Sequence, residues 1–260
     1  MTSKTRVIKI GGRPQSDPSL PLRVAQLWNG GAMPLVIVHG GGDEVSTLQG
    51  ALGLTPAFVG GRRVTSAADV DVVRMALSGS ANKRLVAALV GQGVRALGLS
   101  GEDAALLSAT PVDASRLGYV GAPHRTNVEL LWHLLDGGYV PVISPVSRNA
   151  CFGAGNPASL GEAAALNVNG DDAAAAIAVA LAADELMLVV DVPGVMSDGA
   201  VISRLNVAAA HELMDAGTAA GGMRAKLEAA LSALHGGVER VRIGDLSAVD
   251  DPTGGTLLTE

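Results

Sequence analysis

The sequence predicts an α/β protein in two lobes, organised as a three-layer sandwich around a mainly parallel, open sheet. Short β-branched runs alternate with segments of helical spacing along the whole chain of 260 residues. Several of these runs are apolar throughout, which is typical of parallel strands that are buried on both faces. Because 48% of the residues are hydrophobic but only 2% are aromatic, the core must consist mainly of Ala, Val, Leu and Ile side chains.

The chain begins with a predicted β-α-β unit. Residues 6–10 and 34–38 are apolar runs that end in glycine turns, and residues 22–28 between them have the spacing of a helix. A second helix is predicted over residues 43–52. If the two strands are parallel, both glycine turns lie at the same edge of the sheet.

The next segment combines helices, a strand and an irregular stretch. Ser66 and Asp69 have the spacing of a capping box, which predicts a helix from there to residue 77. Residues 81–90 predict a further helix and residues 95–99 a strand. Residues 110–123 are rich in Pro, Gly and Asp, which indicates hairpins or a lid-like excursion.

A second capping box is predicted from Thr126 and Glu129, with a helix to residue 135. A Gly-Gly pair ends this helix and a strand is expected over residues 139–144. Residues 153–160 are loop-like.

The last third of the chain again alternates predicted strands and helices. Asp171 and Asp172 begin an alanine-rich helix that we expect to extend to residue 183, and their negative charge suits the N-terminus of the helix. The later elements are predicted as strands over residues 185–191 and 238–243 and helices over residues 207–215 and 223–234. We place the lobe boundary near Asn167, between lobes of residues 1–166 and 167–260.

Charge and cysteine content exclude several classes of function. The formal net charge of −6 disfavours nucleic acid or an anionic membrane surface as a partner. Cys151 is the only cysteine, which excludes an internal disulfide and a multi-cysteine metal site. No apolar run without charges reaches the ~18 residues that a membrane span needs. We therefore expect a cytoplasmic protein.

Two glycine turns, Gly11-Gly12 and Gly40-Gly41-Gly42, follow the first two predicted strands. Backbone N–H groups in such turns, together with the next helix N-terminus, can bind an anion. Either turn alone is also explained as an ordinary tight connection. A Walker A loop needs Gly-Lys, which occurs nowhere, and the first turn does not read G-x-G-x-x-G. An esterase would need a G-x-S-x-G elbow, which is also absent, so phosphate binding is the favoured interpretation.

The chain has fifteen arginines but only four lysines, and two of the lysines follow or precede glycine pairs. Lys9 lies at the end of the first strand, with Ile10 between it and the glycine turn, and Lys226 follows Gly221-Gly222 on a predicted helix. Taken singly, each of them could be a solvated charge, Asp171 a helix cap and Arg62-Arg63 an exposed turn.

Together these motifs carry a resemblance. In chain order the sequence reads Ile8-Lys9-Ile10-Gly11-Gly12, Val36-Ile37-Val38-His39-Gly40-Gly41-Gly42, Gly61-Arg62-Arg63-Val64-Thr65, Asn167-Val168-Asn169-Gly170-Asp171, Asp191-Val192-Pro193-Gly194-Val195 and Gly221-Gly222-Met223-Arg224-Ala225-Lys226. This order, over almost the full chain, resembles the acetylglutamate kinase branch of the amino acid kinase family. The resemblance implies the amino acid kinase fold and transfer of a phosphoryl group from ATP to the γ-carboxylate of N-acetyl-L-glutamate, the second step of arginine biosynthesis.

The resemblance also implies roles for individual positions. Lys9 and Lys226 match lysines that stabilise the transferring phosphoryl group, and Asp171 matches the aspartate that positions both. The remaining matched positions are Gly11, Gly12 and Gly41 for phosphate, Gly41, Gly42, Arg63 and Asn167 for the acylated amino acid, and Asp191, Val192, Pro193, Gly194, Val195, Met196, Thr218, Ala219 and Ala220 for ATP. The N-terminal lobe would then bind the acylated amino acid and the C-terminal lobe ATP.

Further expectations follow from the resemblance. Mg²⁺ is expected on the nucleotide phosphates, with no protein ligand set predicted for it. We expect a homodimer whose partners are otherwise small molecules. Since about five residues precede the first strand, whereas arginine-inhibited relatives have an added N-terminal helix, we expect no feedback by arginine.

Alternatives within and outside this class stay open. The acyl group could be succinyl, or the substrate a carrier-linked glutamate or aminoadipate, although the Arg-Arg-Val-Thr segment argues against the carrier-linked form. A non-catalytic sensor with the same fold would have little need for both lysines and Asp171. Two departures from the family pattern are the charged, proline-bearing loop over residues 13–18 and Asp172, which could share the role of Asp171.

Overall fold

The computed structural model describes residues 4–31, 33–152 and 164–260. Its strands are β1 (Arg6–Ile10), β2 (Leu35–His39), β3 (Phe58–Val59), β4 (Arg62–Arg63), β5 (Ala96–Gly101), β6 (Leu107–Pro111), β7 (Val120–Thr126), β8 (Val140–Asn149), β9 (Ala165–Val168), β10 (Glu185–Val189), β11 (Met196–Ser197), β12 (Ala200–Val201), β13 (Arg204–Asn206), β14 (Arg240–Gly244) and β15 (Thr256–Thr259). Its α-helices are α1 (Leu20–Asn29), α2 (Gly42–Ala51), α3 (Ala67–Val73), α4 (Asn82–Gly91), α5 (Ala114–Leu117), α6 (Val128–Asp136), α7 (Gly170–Ala180), α8 (Val207–Asp215) and α9 (Gly221–His235). The loop predicted over residues 153–160 lies outside the described residues.

One large sheet organises the molecule. Its strand order is β13-β15-β14-β10-β1-β2-β8-β6-β7-β9, with β5 paired to β8. The central strands β2, β1, β10 and β14 run parallel, and antiparallel pairs occur toward the two ends, at β14–β15, β6–β7 and β8–β9. The predicted α/β class with a mainly parallel sheet is confirmed. The carboxyl ends of β1, β2 and β10 therefore lie side by side, at the edge where open α/β sheets bind ligands.

Hydrophobic side chains cover both faces of the sheet, which makes three layers. Along β1, Val7 belongs to one core, with side chains of α6, α7, α8 and α9, while Ile8 and Ile10 belong to another, with side chains of α1 and α4. This alternation is the two-residue period of a strand. It explains why the strands read as continuous apolar runs, since both faces are buried.

Helical structure is continuous from α3 to α4. Ser66 and Asp69 form the predicted capping box, and a π-helical segment, Arg74–Ala81, joins the two α-helices. The predicted break near residue 77 is therefore absent. None of the described helices combines the length and apolarity that crossing a bilayer requires.

Other elements differ from the prediction in detail. The capping box predicted at Thr126 and Glu129 is wrong: Asn127 is the N-cap, and its side chain accepts from the N–H of Leu130. Helix α7 ends at Ala180, before Ala182 with its positive φ of 48°. Strands β9, β13 and β15 and the hairpins β3–β4 and β11–β12 were not predicted, because they are two to four residues long and depend on pairing partners.

Candidate active site

A buried ion pair lies at the carboxyl edge of the sheet. Lys9 is the fourth residue of β1, and its Nζ is 2.7 Å from Oδ1 of Asp171, at the start of α7. The two residues are 6% and 3% exposed, so the pair is almost closed to water. Asn169 caps α7 by accepting from the N–H of Asp171, which fixes the position of this carboxylate.

Lys226 completes a three-residue group. It lies on α9, and its Nζ is 3.4 Å from Oδ2 of Asp171. Each ammonium group therefore lies beside a different oxygen of one carboxylate, although the three residues come from three separate elements. Burial by itself would raise the pKa of Asp171, but Lys9 and Lys226 together lower it below its ordinary value. Asp171 is therefore ionised at neutral pH, and its single carboxylate is shared by two lysine side chains.

The two glycine turns lie next to this group. The N–H of Gly40 donates to the carbonyl of Ile10 at 3.0 Å, and the N–H of Gly11 donates to the carbonyl of Val189 at 3.3 Å, which joins the ends of β2, β1 and β10. A Cβ on Gly11 would lie 2.5 Å from Nζ of Lys9, so a larger residue would displace the ammonium group. Gly41 has a φ of +147°, which side chains rarely adopt.

A cavity of about 200 Å³ opens beside these turns. Its lining includes all three glycines of the second turn, and it also includes Phe58, Arg62, Arg63 and Asn167. The predicted substrate residues Gly41, Gly42, Arg63 and Asn167 therefore line one cavity, which reaches Gly170 beside the buried ion pair. This confirms that they lie together and leaves their binding roles as predictions.

Arg63 has a fixed guanidinium group. It donates to Gln49 Oε1, to the carbonyl of Gly42 and to Ser46 Oγ, the last two at 2.8 Å. It also lies over the ring of Phe58, 4.7 Å from the centroid. All these partners are neutral, and burial lowers the pKa of Arg63 while Asp69 and Asp43 oppose that shift. Arg63 therefore presents a preoriented positive charge suited to a carboxylate.

Asn167 lies in β9 and lines the same cavity. Its Nδ2 donates to Oγ1 of the buried Thr65 at 3.0 Å. This bond orients the amide and connects β9 to the segment after β4. Asn167 also lies at the predicted lobe boundary, which stays a prediction.

The segments predicted for ATP adjoin strand β10 and helix α9. Residues 191–196 follow β10, and the N–H of Val195 donates to Thr256 Oγ1 at 2.8 Å. Residues 218–220 lead into α9, the helix of Lys226, with Ala220 as its N-cap. Val195 and Ala219 are buried in the same hydrophobic cluster. The ATP-binding roles of all nine residues stay predictions: Asp191, Val192, Pro193, Gly194, Val195, Met196, Thr218, Ala219 and Ala220.

The structure separates Asp172 from Asp171. Asp172 pairs with Arg62, Oδ2 to Nη2 at 3.0 Å, whereas both lysines bind Asp171. Burial raises the pKa of Asp172, and the attraction of Arg62 opposes that shift. Adjacent helix residues point about 100° apart, so only one of them can face the lysines.

Some residues of the site were not found from the sequence. Gln49 and Ser46 lie on α2, the helix that begins in the second glycine turn, and their side chains orient Arg63. Phe58, whose ring contacts Arg63, precedes the predicted Arg-Arg segment. Glutamine and serine on a helix have no sequence signal of their own. Phe58 had such a signal, because it is one of only two phenylalanines in the chain and an aromatic residue is therefore unusual here. Within the described residues, no group of three or more His, Cys, Asp or Glu side chains is placed to hold a metal ion.

Comparison with known proteins agrees with this geometry. The profile of the amino acid kinase family matches residues 4–245. An acetylglutamate kinase of Chloroflexus aurantiacus is 44% identical over 255 residues, which cover 97% of this chain and 96% of that protein. An acetylglutamate kinase of Roseiflexus sp. (strain RS-1) is 41% identical over 259 residues, 98% of this chain and 94% of that protein.

A solved structure shares the fold over nearly its whole length. A crystal structure from Streptococcus mutans UA159 superposes with a TM-score of 0.86 at 30% identity, covering 98% of both chains. The match therefore extends from the ordered motifs to the entire fold. The chain belongs to the amino acid kinase family, within the group of the acetylglutamate kinases.

Proposed function

We propose that this chain transfers the γ-phosphoryl group of ATP to the γ-carboxylate of N-acetyl-L-glutamate, forming N-acetyl-L-glutamyl 5-phosphate and ADP in arginine biosynthesis. The convergence of Lys9 and Lys226 on Asp171, beside two glycine turns, is the observation that carries the proposal. Such a group places positive charge where a phosphoryl group can pass between two anions. The relatives that match almost the full chain are acetylglutamate kinases.

The substrate would occupy the cavity of about 200 Å³. Arg63 binds the α-carboxylate with its planar guanidinium group, and Asn167 lies beside the acylamino group. Gly41 and Gly42 line the same pocket at the N-terminus of α2, where the helix dipole favours negative charge. The γ-carboxylate then points toward Lys9.

The chemical step needs no general base. A γ-carboxylate oxygen, already ionised at neutral pH, attacks the γ-phosphorus, the bond to the β,γ-bridging oxygen breaks, and ADP leaves. Lys9 and Lys226 stabilise the equatorial and bridging oxygens, while the N–H groups of Gly12 and Gly41 donate to the transferring group. Asp171 positions both lysines and contacts no reacting atom, because its oxygens face their ammonium groups.

We propose that ATP binds along residues 191–196 and 218–220. The first segment follows β10, which pairs with β1, the strand of Lys9, and the second leads into α9, the helix of Lys226. Mg²⁺ would arrive with the nucleotide, since hard cations prefer phosphate oxygens.

A hydroxamate assay tests the function. Purified protein with MgATP, N-acetylglutamate and hydroxylamine should form the hydroxamate in proportion to enzyme concentration. No product above a no-enzyme control would overturn the proposal. The same assay with N-succinylglutamate and unacylated glutamate identifies the acyl group, and binding of ATP without product from any of the three would favour a sensor.

We also propose a cytoplasmic homodimer. In the described part of the chain β5 pairs on one side only, with β8, and Leu97 on β5 and the neighbouring Tyr139 are 37% and 40% exposed. An unpaired edge with apolar neighbours favours association with a second copy. Light scattering after size exclusion should give twice the 26.1 kDa chain mass, and Leu97→Asp should shift it toward the monomer.

A further inference from the structure

We propose that His39 is a positioning residue of the phosphate turn: its ring fixes the Gly40–Gly41 peptide so that the N–H of Gly41 points to the transferring phosphoryl group. Asn82 and Lys83 in turn fix the ring. This inference rests on the proposed kinase function and assigns three residues that the reaction scheme above does not use.

The hydrogen bonds of His39 determine its tautomer. The ring is fully buried at the end of β2. Nδ1 lies 2.8 Å from the carbonyl oxygen of Gly40, which can only accept, so Nδ1 carries the proton. Nε2 must then accept, and its neighbour at 3.0 Å is the amide nitrogen of Asn82, a donor. The neutral ring is thus satisfied on both sides.

Asn82 has no freedom to rotate its amide. Its Nδ2 also donates to the carbonyl of Val142 at 2.9 Å, and its Oδ1 accepts from Nζ of Lys83 at 3.0 Å. Lys83 itself donates to the carbonyl of Gly98 at 3.2 Å. The side-chain bonds therefore run from an exposed lysine on α4, through a fully buried asparagine, to the ring of His39.

The peptide between Gly40 and Gly41 needs such a restraint. Neither residue has a Cβ, so little in the backbone itself opposes a flip of this peptide plane. In a trans peptide the C=O and the next N–H point in opposite directions. When His39 binds the carbonyl of Gly40 on the buried side, the N–H of Gly41 must point the other way, into the cavity. A flipped peptide would present a carbonyl oxygen to the phosphoryl oxygens and repel them.

The π-helical segment Arg74–Ala81 brings the network against the turn. Asn82 directly follows this segment. A Cβ on Gly41 would lie 2.7 Å from Leu77 and 3.7 Å from Ala81, so the same segment packs on the turn itself. π-Helical segments are frequent at functional sites because they change which side chains face inward.

Two amide variants of His39 distinguish the loss of its hydrogen bond to Gly40 from the loss of packing by its buried ring. In His39→Asn the side-chain nitrogen lies as many bonds from Cα as Nδ1 does, so it can still donate to Gly40. In His39→Gln the terminal atoms match Nε2 instead, and the donor to Gly40 is lost. Both replace a buried ring by a smaller amide, so their losses of stability should be similar.

We expect His39→Gln to lower kcat by about 100- to 1,000-fold, the range for losing one preorganised hydrogen-bond donor to the transition state. His39→Asn should stay within about threefold of wild type, and KM for N-acetylglutamate should change little in either variant. In [¹⁵N]glycine-labelled protein the Gly41 amide should shift on binding a non-hydrolysable ATP analogue in wild type and His39→Asn, and not in His39→Gln. Equal kcat losses in the two variants at equal stability, or equal Gly41 shifts, would overturn the inference.

The exposed end of the network gives a test that does not depend on a buried substitution. Lys83→Met should lower kcat by about threefold or more without raising KM, and Lys83→Arg, which retains a donor, should restore it. Unchanged kcat in Lys83→Met would contradict the proposal. Turnover of the wild-type protein tests the kinase function by itself. The shift of the Gly41 amide tests the positioning role of His39, and it can be measured even if the wild-type protein shows no turnover.

Discussion

Lys9 of β1 and Asp171 of α7 form an ion pair of 2.7 Å that is almost closed to water, at the edge where β1, β2 and β10 end. A buried charge pair is costly to desolvate and contributes little to stability by comparison with apolar packing. The second lysine on the same carboxylate leaves an excess positive charge. Such an arrangement is understandable where a dianionic phosphoryl group must be stabilised.

Removing either lysine should affect turnover more than nucleotide affinity. Lys9→Ala and Lys226→Ala should each lower kcat by about 100- to 1,000-fold, because charge in the transition state is stabilised electrostatically. The Kd for ATP, measured by calorimetry, should change much less. Lys4→Ala is the matched control, since Lys4 is exposed. A loss confined to ATP affinity would contradict the assigned role.

Asp171→Asn should abolish turnover and destabilise the fold. It leaves two ammonium groups close together without their carboxylate, and breaking a buried pair costs about 3–5 kcal/mol. Since the pKa of Asp171 lies below its unfolded value of 3.8, its contribution is present above that pH and disappears as the pH falls through the folded pKa.

Urea unfolding at several pH values measures this contribution. The difference between wild type and Asp171→Asn should be largest near pH 7 and shrink below pH 4. The exposed Asp136 provides the control variant, Asp136→Asn. A difference that does not depend on pH would mean that the charge pair is not its source.

Arg63→Ala should mainly raise KM for N-acetylglutamate. Hydrogen bonds to charged groups contribute about 1.5–3 kcal/mol, which corresponds to an increase of about 10- to 100-fold. Arg63→Lys should recover only part of this, because an ammonium group cannot form the bidentate pair. Steady-state kinetics of Arg63→Ala, compared with Arg204→Ala at an exposed position, checks the prediction. A change in kcat without a change in KM would refute it.

Gly11→Ala should displace the ammonium group of Lys9, because the added Cβ would lie 2.5 Å from Nζ. We expect kcat to fall by at least about tenfold. A Cβ on Gly50, in α2, would meet no atom within 4 Å, so Gly50→Ala should stabilise the protein by about 0.5–1 kcal/mol with normal turnover. Normal activity in Gly11→Ala would show that Lys9 is not held in the described position.

His39 should make stability fall in weak acid. Burial lowers the pKa of His39 to about 4 from 6.5, so between these values the unfolded chain binds the proton and the folded chain does not. Stability should therefore decrease as the pH falls from 6.5 toward 4, by up to about 3 kcal/mol. His39→Asn should lack this part of the pH dependence in unfolding measurements between pH 4.5 and 7, and an unchanged dependence would argue against a buried neutral ring.

Much of the frame was predictable from local patterns. The apolar runs of β1, β2 and β10 and the capping box at Ser66 and Asp69 depend on side-chain period and short-range hydrogen bonds, which the sequence displays directly. The short strands β9, β13 and β15 were missed, because three or four residues have no clear period and form a strand only where a partner strand lies beside them.

The residues of the site were predictable only as a set. Their order in the chain, with two glycine turns, two lysines and an aspartate, was enough to indicate the family and the chemistry. The folded chain was needed to show that Asp171 and not Asp172 receives both lysines, that neutral groups orient Arg63, and that His39 binds the carbonyl of Gly40. The reason is physical: motifs reflect backbone geometry and residue chemistry over a few positions, whereas contacts between distant residues depend on how whole helices and strands pack.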